Sequence, residues 1–496
     1  MNETLATSAP TPALAHPRRW SILILLCLVE FMLLLDDTVV NVALPRIKED
    51  LGFSLANLAW VVNAYVLVFG GFLLLGGRLA DLYGRRRIFL LGTGLFALAS
   101  LANGLAQNQA MLVGSRAVQG LGAALAAPAA LSMIAVLFTD PKERSRALGL
   151  WGSLTALGGT TGVVLSGVLT DMANWRWIFL INLPVAAVPL LLVPRLAPES
   201  RRTTQHGFDL PGAVTVTAGT SALVYGLLST VEHGWGAPAT VTALAAAAAL
   251  LAAFLIIETR AAHPLVPLRF FRRRRPATAN GLQLLMASAN FGTFFLLTLY
   301  IQQVLGYSPL KAGLCYAGFF VGIFLGFGTG SPLVPRIGVR PFMVGGFALL
   351  AAGMFWFAQV PADGRYWQDI FPGFMLMSVG IAWTALTVTI AGMTDVPESE
   401  TGLASGLLNA SAQVGGAVGL AVLVTIASRR AGHLAAAGKD ALAAQLGGTH
   451  LAFFVGGVLL VLAAVVAAVF IGRLKPTELP PMVILEEHED VRVTAR

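Results

Sequence analysis

A polytopic α-helical membrane protein is the fold class predicted by three features of this chain. Apolar runs long enough to cross a bilayer recur along its whole length, charge is scarce, and basic residues favour alternate loops. Of 496 residues, 56% are hydrophobic and only 12% charged, with mean hydropathy +0.76. Soluble domains carry about twice that share of charge. A hydrocarbon core of about 30 Å takes about 20 residues of helix. Runs of that kind fall at 20–44, 57–77, 88–106, 110–137, 145–169, 176–196, 210–231, 239–258, 277–303, 311–332, 340–359, 369–393, 403–427 and 451–472, fourteen in all. They are too long and too uniformly apolar for the alternating segments of about ten residues that build a transmembrane barrel.

The first run starts at Trp20, behind Arg18 and Arg19, and no small-residue cleavage site interrupts it. It is therefore expected to be a retained helix rather than a signal peptide. With the N-terminus inside, Lys and Arg number 24 on the inner side and 8 on the outer, Arg116 lying within the fourth run. That is the positive-inside distribution, which places both termini in the cytoplasm. It also accounts for the net charge of +8 without nucleic acid. The densest basic stretch, "ETRAAHPLVPLRFFRRRRP" (258–276), is expected to anchor at anionic headgroups. Residues 428–450 read as the longest external loop. Cys27 and Cys315 both sit in apolar runs and form neither a disulfide framework nor a metal cluster.

An internal repeat is visible after the second run. "GRLADLYGRRR" (77–87) finds a degraded echo in "SPLVPRIGVRP" (331–341). Equivalent loops imply homologous halves, and so a 6+2+6 plan. The segments are then a tail (1–19), an N-terminal six-helix bundle (20–196), two inserted helices with the basic linker (197–276), a C-terminal six-helix bundle (277–472) and a second tail (473–496).

The chemistry is concentrated in the first run, "MLLLDDTVVNVALP" (32–45) with Glu30 before it. Glu30, Asp36 and Asp37 are the acids placed inside a span, and Arg116 is the base. A charge at the bilayer centre costs roughly 2.5–3.5 kcal/mol on insertion scales, so such residues face a partner or an ion route. At 100° per residue Glu30 and Asp37 share a stripe that Asn41 extends, while Asp36 points about 100° away. Two directions suggest two tasks. A carboxyl group at low dielectric that exchanges a proton near neutral pH is what a proton carrier needs. The seven histidines all fall in expected loops or tails, so coupling has to use carboxylates. No "HExxH" and no nucleophile beside a buried base is present, and the buried acids share one helix. These absences speak against a membrane hydrolase.

Several stretches together resemble the major facilitator superfamily, specifically its fourteen-helix drug:proton antiporter family. "LDDTVVNVALP" is similar to the first-helix motif, with Asp36 at the motif aspartate. "GRLADLYGRRR" resembles the gating loop, in which Gly77 and Gly84 allow close approach and Asp81 with Arg85 and Arg86 forms a latch. "LVGSRAVQGLGAA" resembles the fourth-helix motif, Arg116 and Gln119 included. "GSLTALGGTTGVVLSG" is similar to the antiporter motif of the fifth helix. There Gly158, Gly159, Gly162 and Gly167 keep a small-residue face, while Val163 stands at the usual proline and Ser166 at a usual glycine. "WRWIFLINLP", "PLVPLRFF", "QQVLGYSPLKAGL" and "NASAQVGGAVGLAV" add to the resemblance.

The resemblance implies a major facilitator fold with 14 transmembrane helices, and a secondary transporter rather than an enzyme. It would need no cofactor and no metal, being driven by the proton gradient. Asp36 with Arg116 is the expected coupling pair, and Glu30 or Asp37 a second proton site or a counter-charge for cationic substrate. Cavity candidates are Asn41, Asn63, Tyr65, Gln119, Gln283, Asn290, Trp383, Asn409 and Gln413. The expected activity is export of amphipathic drugs or antibiotics, mono-cationic or neutral because no acid falls in the later spans. A dedicated exporter of an amino acid, siderophore or self-made product is the alternative, and a non-transporting sensor or scaffold the third reading. The expected partners are the small-molecule substrate, protons and membrane lipids, with no nucleic acid, for a monomer in a bacterial inner membrane. Arg outnumbering Lys 28 to 5 fits a GC-rich bacterial genome.

Overall fold

The computed structural model describes residues 17–138, 140–200, 209–262, 264–397 and 400–472. Among them fourteen long helices follow one another. They are α1 (Arg19–Leu51), α2 (Leu55–Tyr83), α3 (Arg85–Gly104), α4 (Gln109–Leu137), α5 (Pro141–Met172) and α6 (Trp177–Leu196, broken at Ile181). Then come α7 (Leu210–His233), α8 (Pro238–Arg260), α9 (Arg274–Val304), α10 (Pro309–Ile337), α11 (Val339–Phe357), α12 (Tyr366–Met393), α13 (Thr401–Ala436) and α14 (Ala441–Phe470). Twelve of these are long and apolar enough to cross a membrane; α1 and α5, at 33 and 32 residues, match them in length.

The ends are set by local chemistry. Ser54, Asn108, Asp140, Asp209, Ser308 and Asp440 each accept an N–H from the first turn of the helix that follows, which satisfies an otherwise orphaned donor. Gly52 ends α1 at φ 66 and returns its N–H to Lys48 O.

The two halves repeat one another at a separation of 254 positions. Gly52 and Gly306 both stand at φ 66, Ser54 and Ser308 both cap the next helix, and Gly84 and Gly338 both turn at positive φ, 108° and 105°. Arg19 pairs with Glu143 at 2.8 Å, and its counterpart Arg273 pairs with Glu400 at 2.5 Å. The basic stretch 258–276 is therefore engaged with protein, since Arg269 also reaches Glu400 and Arg275 reaches Asp395.

The halves meet along two seams, α2 on α13 and α5 on α10. Small residues permit both approaches: Gly70 lies against Gln413, Gly406 against Leu74, and a Cβ at Gly167 would meet the Leu310 backbone at 2.8 Å. Gln302 of α9 donates to Val42 O of α1 at 2.7 Å. The inserted hairpin α7–α8 lies beside the first seam, with α7 on both α2 and α13. Arg429 donates to Thr230 O at 2.7 Å and Thr425 to Leu227 O at 3.1 Å, tying α7 to α13.

One expectation fails. Residues 428–450 are not a long loop: α13 runs on to Ala436 and α14 begins at Ala441. Alanine and leucine extend both helices, and Gly438 at φ 81 with the Asp440 cap makes the turn. His433 and His450 consequently lie in helices, and His233 is the last residue of α7; His450 Nε2 stands 2.8 Å from Val360 O. His16, His206, His263 and His488 lie outside the described residues.

Gly338 tests the turn directly. Gly338→Ala should cost about 1–3 kcal/mol, because an L residue is strained at that φ, and should lower the melting temperature in detergent. Gly281→Ala, inside α9 where a Cβ meets nothing within 4 Å, should not lower it, since alanine is the better helix former.

Candidate functional site

Helix α1 carries its three acids into three different settings. Asp36 is fully buried and faces α4, where Arg116 is 1% exposed. Arg116 Nη1 donates to Asp36 Oδ2 at 2.5 Å and to Gln119 Oε1 at 2.7 Å, while its Nε donates to Val61 O at 2.9 Å. Gln119 Nε2 donates to Asp36 Oδ1 at 2.8 Å, and Asn182 Nδ2 of α6 donates to the same oxygen at 2.9 Å. Behind this shell, Ser100 accepts from Gln119 and Asn182, Asn103 donates to Gln119 Oε1, and Ser115 donates to Asn103. Tyr65 lies flat under the guanidinium at 4.4 Å, with Phe179 at 5.8 Å. The carboxylate thus has a paired charge and further donors, as burial requires.

The other two acids have no such shell. Glu30 Oε2 is buried with no hydrogen-bond partner, and the half-buried Asp37 makes no side-chain bond among the described residues. Both nevertheless act electrostatically on Tyr65, together with Asp36 and Arg116. Asp36 is thus turned into the α4–α6 network, while Glu30 and Asp37 lie outside it. Asn41 does not extend the stripe of Glu30 and Asp37 as a free group, since its amide donates to Asp37 O in its own helix.

The remaining candidates divide. Asn63 has both amide atoms buried and unpartnered, and Asn290 Oδ1 and Gln413 Oε1 are likewise orphaned. Gln283 is half-buried. Trp383 bonds Thr329 of α10 at 3.1 Å and packs on Phe342, so it joins helices. Asn409 is exposed and donates to Ser405 O of its own helix.

At the turn between α2 and α3, Asp81 Oδ1 accepts both Nε and Nη2 of Arg85, at 3.1 and 2.8 Å. Arg86 is bound instead at the end of α6, where Glu199 accepts its backbone N–H and Ala197 O its guanidinium. A Cβ at Gly84 would meet Glu199 at 2.6 Å. Close approach of α2 to α4 is made at Gly76, against Ala124 O, and not at Gly77, whose nearest contact would be an ordinary 3.6 Å. On α5, Gly158 and Gly162 receive Leu34 and Thr38 of α1, and Ser166 donates to Val39 O at 2.5 Å. The side chain of Val163, like Gly159, is outside what the structure describes.

The repeat exposes an asymmetry that sequence reading missed. Gly122 packs on Gly92 and Phe96, and Gly380 on their counterparts Gly346 and Leu350, so Arg116 corresponds to Phe374 and Gln119 to Met377. Asp36 corresponds to Asn290, Tyr65 to Phe319 and Ser100 to Met354. Where one half stacks Arg116 on Tyr65, the other packs Phe374 edge-on to Phe319 at 5.8 Å. Asn290 is left polar amid that apolar set.

An all-helical chain of two six-helix repeats, with buried charge in one of them, has the build of a secondary membrane transporter. The Major Facilitator Superfamily model matches residues 26–420, and the chain belongs to that family, whose relatives are transporters and exporters rather than enzymes. It is similar to the lincomycin resistance protein of Streptomyces lincolnensis, 38% identical over 85% of this chain and 87% of that one. It is also similar to the cephamycin export protein CmcT of Amycolatopsis lactamdurans, 38% identical over 82% and 84%. Among solved structures, an inward-facing bacterial homolog of the human lysosomal transporter Spinster superposes with TM-score 0.65 at 18% identity, over 92% of this chain and 98% of that one.

Breaking the pair has a defined cost. Arg116→Ala leaves Asp36 as an uncompensated buried charge and should destabilise the protein by about 3–5 kcal/mol. The double variant Asp36→Asn, Arg116→Gln should regain more than half of it in thermal unfolding. Equal loss in single and double variants would deny the coupling.

Proposed function

We propose that the protein is a proton-driven exporter of amphipathic small molecules, mono-cationic or neutral. On this reading its fourteen helices cross a bacterial inner membrane, both termini are cytoplasmic, and the protein works as a monomer. The observation that carries it is the contrast within α1: one carboxylate held by Arg116, Gln119 and Asn182, and two more close by, of which Glu30 has a buried oxygen without a hydrogen-bond partner and Asp37 makes no side-chain bond among the described residues. A buried carboxyl group that no donor holds is free to exchange a proton. Asp36 then serves as the fixed counter-charge that keeps Arg116 in place, while Glu30 and Asp37 take up and release protons. Protonation and substrate compete for the state that reorients, which yields exchange.

Substrate polarity is read by the orphaned amides of Asn63, Asn290 and Gln413, and its apolar body by surrounding aliphatic and aromatic walls. Export as the direction is supported by the relatives named for resistance and export. The cephamycin export relative also favours a second reading, a dedicated exporter of a self-made product.

The test is ethidium efflux from proteoliposomes under an imposed pH gradient. Wild-type flux should follow the gradient, and Asp37→Asn or Glu30→Gln should lower gradient-driven flux at least tenfold while leaving folding intact. Asn63→Ala and Gln413→Ala should raise KM by up to about tenfold, the equivalent of one hydrogen bond each. Flux in wild type that ignores the gradient would overturn proton coupling. A wild type that moves no ethidium but moves a biosynthetic product would favour the dedicated exporter.

A further inference from the structure

A second pair of buried acids lies far along the chain from α1, at the base of the inserted hairpin. Asp209 caps α7, its Oδ1 accepting the Gly212 N–H at 2.7 Å, and Glu258 of α8 accepts the Val266 N–H at 3.0 Å through Oε2. Their other oxygens, Asp209 Oδ2 and Glu258 Oε1, are buried without a hydrogen-bond partner, and the residues are 6% and 4% exposed. Both oxygens crowd the same point: a Cβ at Gly212 would lie 2.5 Å from the first and 3.0 Å from the second.

Among the described residues the surroundings offer Glu258 backbone N–H groups and no opposite charge. Ala213 and Leu265 pack there with Leu75, and Phe72, Leu74, Leu79 and Val266 close around them. From α13, Ala404 and Leu407 bring more apolar surface to Val266. Arg78 of α2 and Arg260 of α8 are exposed, and Glu400 before α13 is held by Arg273. The described group whose charge bears on Glu258 is Asp209, of the same sign. Two ionised carboxylates facing one another in such a setting repel with little screening.

We propose that Asp209 and Glu258 hold one proton between them, a proton-binding site separate from the Asp36 cluster. The protonated carboxyl donates its O–H to the facing carboxylate, which satisfies both orphaned oxygens. On deprotonation the proton leaves to water, and two like charges push the start of α7 from the end of α8. A metal ion would find less here, because no three His, Cys, Asp or Glu side chains gather among the described residues, whereas a shared proton needs one oxygen from each acid. The site is filled at low pH and empties as pH rises, so the stability it contributes is lost on the alkaline side. The location of this site is independent of what the protein exports.

Infrared spectroscopy of the purified full chain at neutral pH tests it, comparing wild type with Glu258→Gln and Asp209→Asn. Asparagine keeps the helix cap and glutamine the Val266 bond, so both variants should fold. The wild-type-minus-variant spectrum should contain a protonated-carboxyl band that disappears as pH is raised. Melting temperature should fall with rising pH more steeply in wild type than in either variant. Absence of the band from both difference spectra, or parallel pH profiles, would overturn the proposal. So would stabilisation of wild type, but not of the variants, by calcium or magnesium, which would assign a cation instead.

Discussion

The arrangement of the N-terminal half depends on one interaction, the ion pair of Asp36 and Arg116 at a depth where neither charge meets water. Such a pair stands only if the remaining lone pairs and N–H groups are also satisfied. That demand explains the residues around it. Gln119 bridges both partners, Asn182 supplies the third donor to Asp36, and Val61 O takes Arg116 Nε. Five helices are thereby fixed by one pair: α1 and α4 by the charges, α2 by Val61 and Tyr65, α3 by Ser100, and α6 by Asn182. Glu30 and Asp37 stand outside that set of donors among the described residues.

The C-terminal half meets the same geometric problem without charge. Its equivalent helices keep the glycine contacts, Gly346 with Gly380 as Gly92 with Gly122. The polar partners are replaced by Phe374, Met377, Met354 and Phe319. An aromatic and methionine core tolerates small rearrangements at low cost, whereas a caged ion pair has essentially one arrangement. One half is thus built for a fixed electrostatic state and the other for packing. Asn290, the residue at the Asp36 position, marks where the two designs diverge.

Much of this was legible in the sequence, for identifiable reasons. Helix positions follow from apolar run length, and the acids of α1 stand out because charge in such a run is costly. The pairing of Asp36 with Arg116 could be expected because the spans offered one base. Asn182 was not singled out, since an asparagine inside "WRWIFLINLP" has the same appearance whether it bonds its own helix or a distant carboxylate. Glu199 was missed for a similar reason: it sits in a loop, and only the fold brings it to the N-terminus of α3. Trp383, expected in a cavity, spends its indole N–H on Thr329, a choice that depends on the facing helix. The clearest trace of the repeat was also overlooked. "LGFS" at 51–54 and "LGYS" at 305–308 encode the same glycine stop and serine cap, a stronger signal than the eroded echo at 331–341, because both residues are set by backbone chemistry rather than by packing.

Placement of the inserted hairpin follows from the same economy. A helix pair added between two halves must leave both seams free to change, and α7 touches α2 and α13 along one seam while α5 and α10 meet at the other. Its bonds to α13 run from Arg429 and Thr425 near one end of the bundle. The buried carboxyls Asp209 and Glu258 lie at the other end, where α7 starts and α8 finishes. The hairpin is therefore anchored by hydrogen bonds from Arg429 and Thr425 at one end and closed by acids at the other. Any change in the charge of those acids acts where α7 starts and α8 finishes, on a helix that lies along the α2–α13 seam.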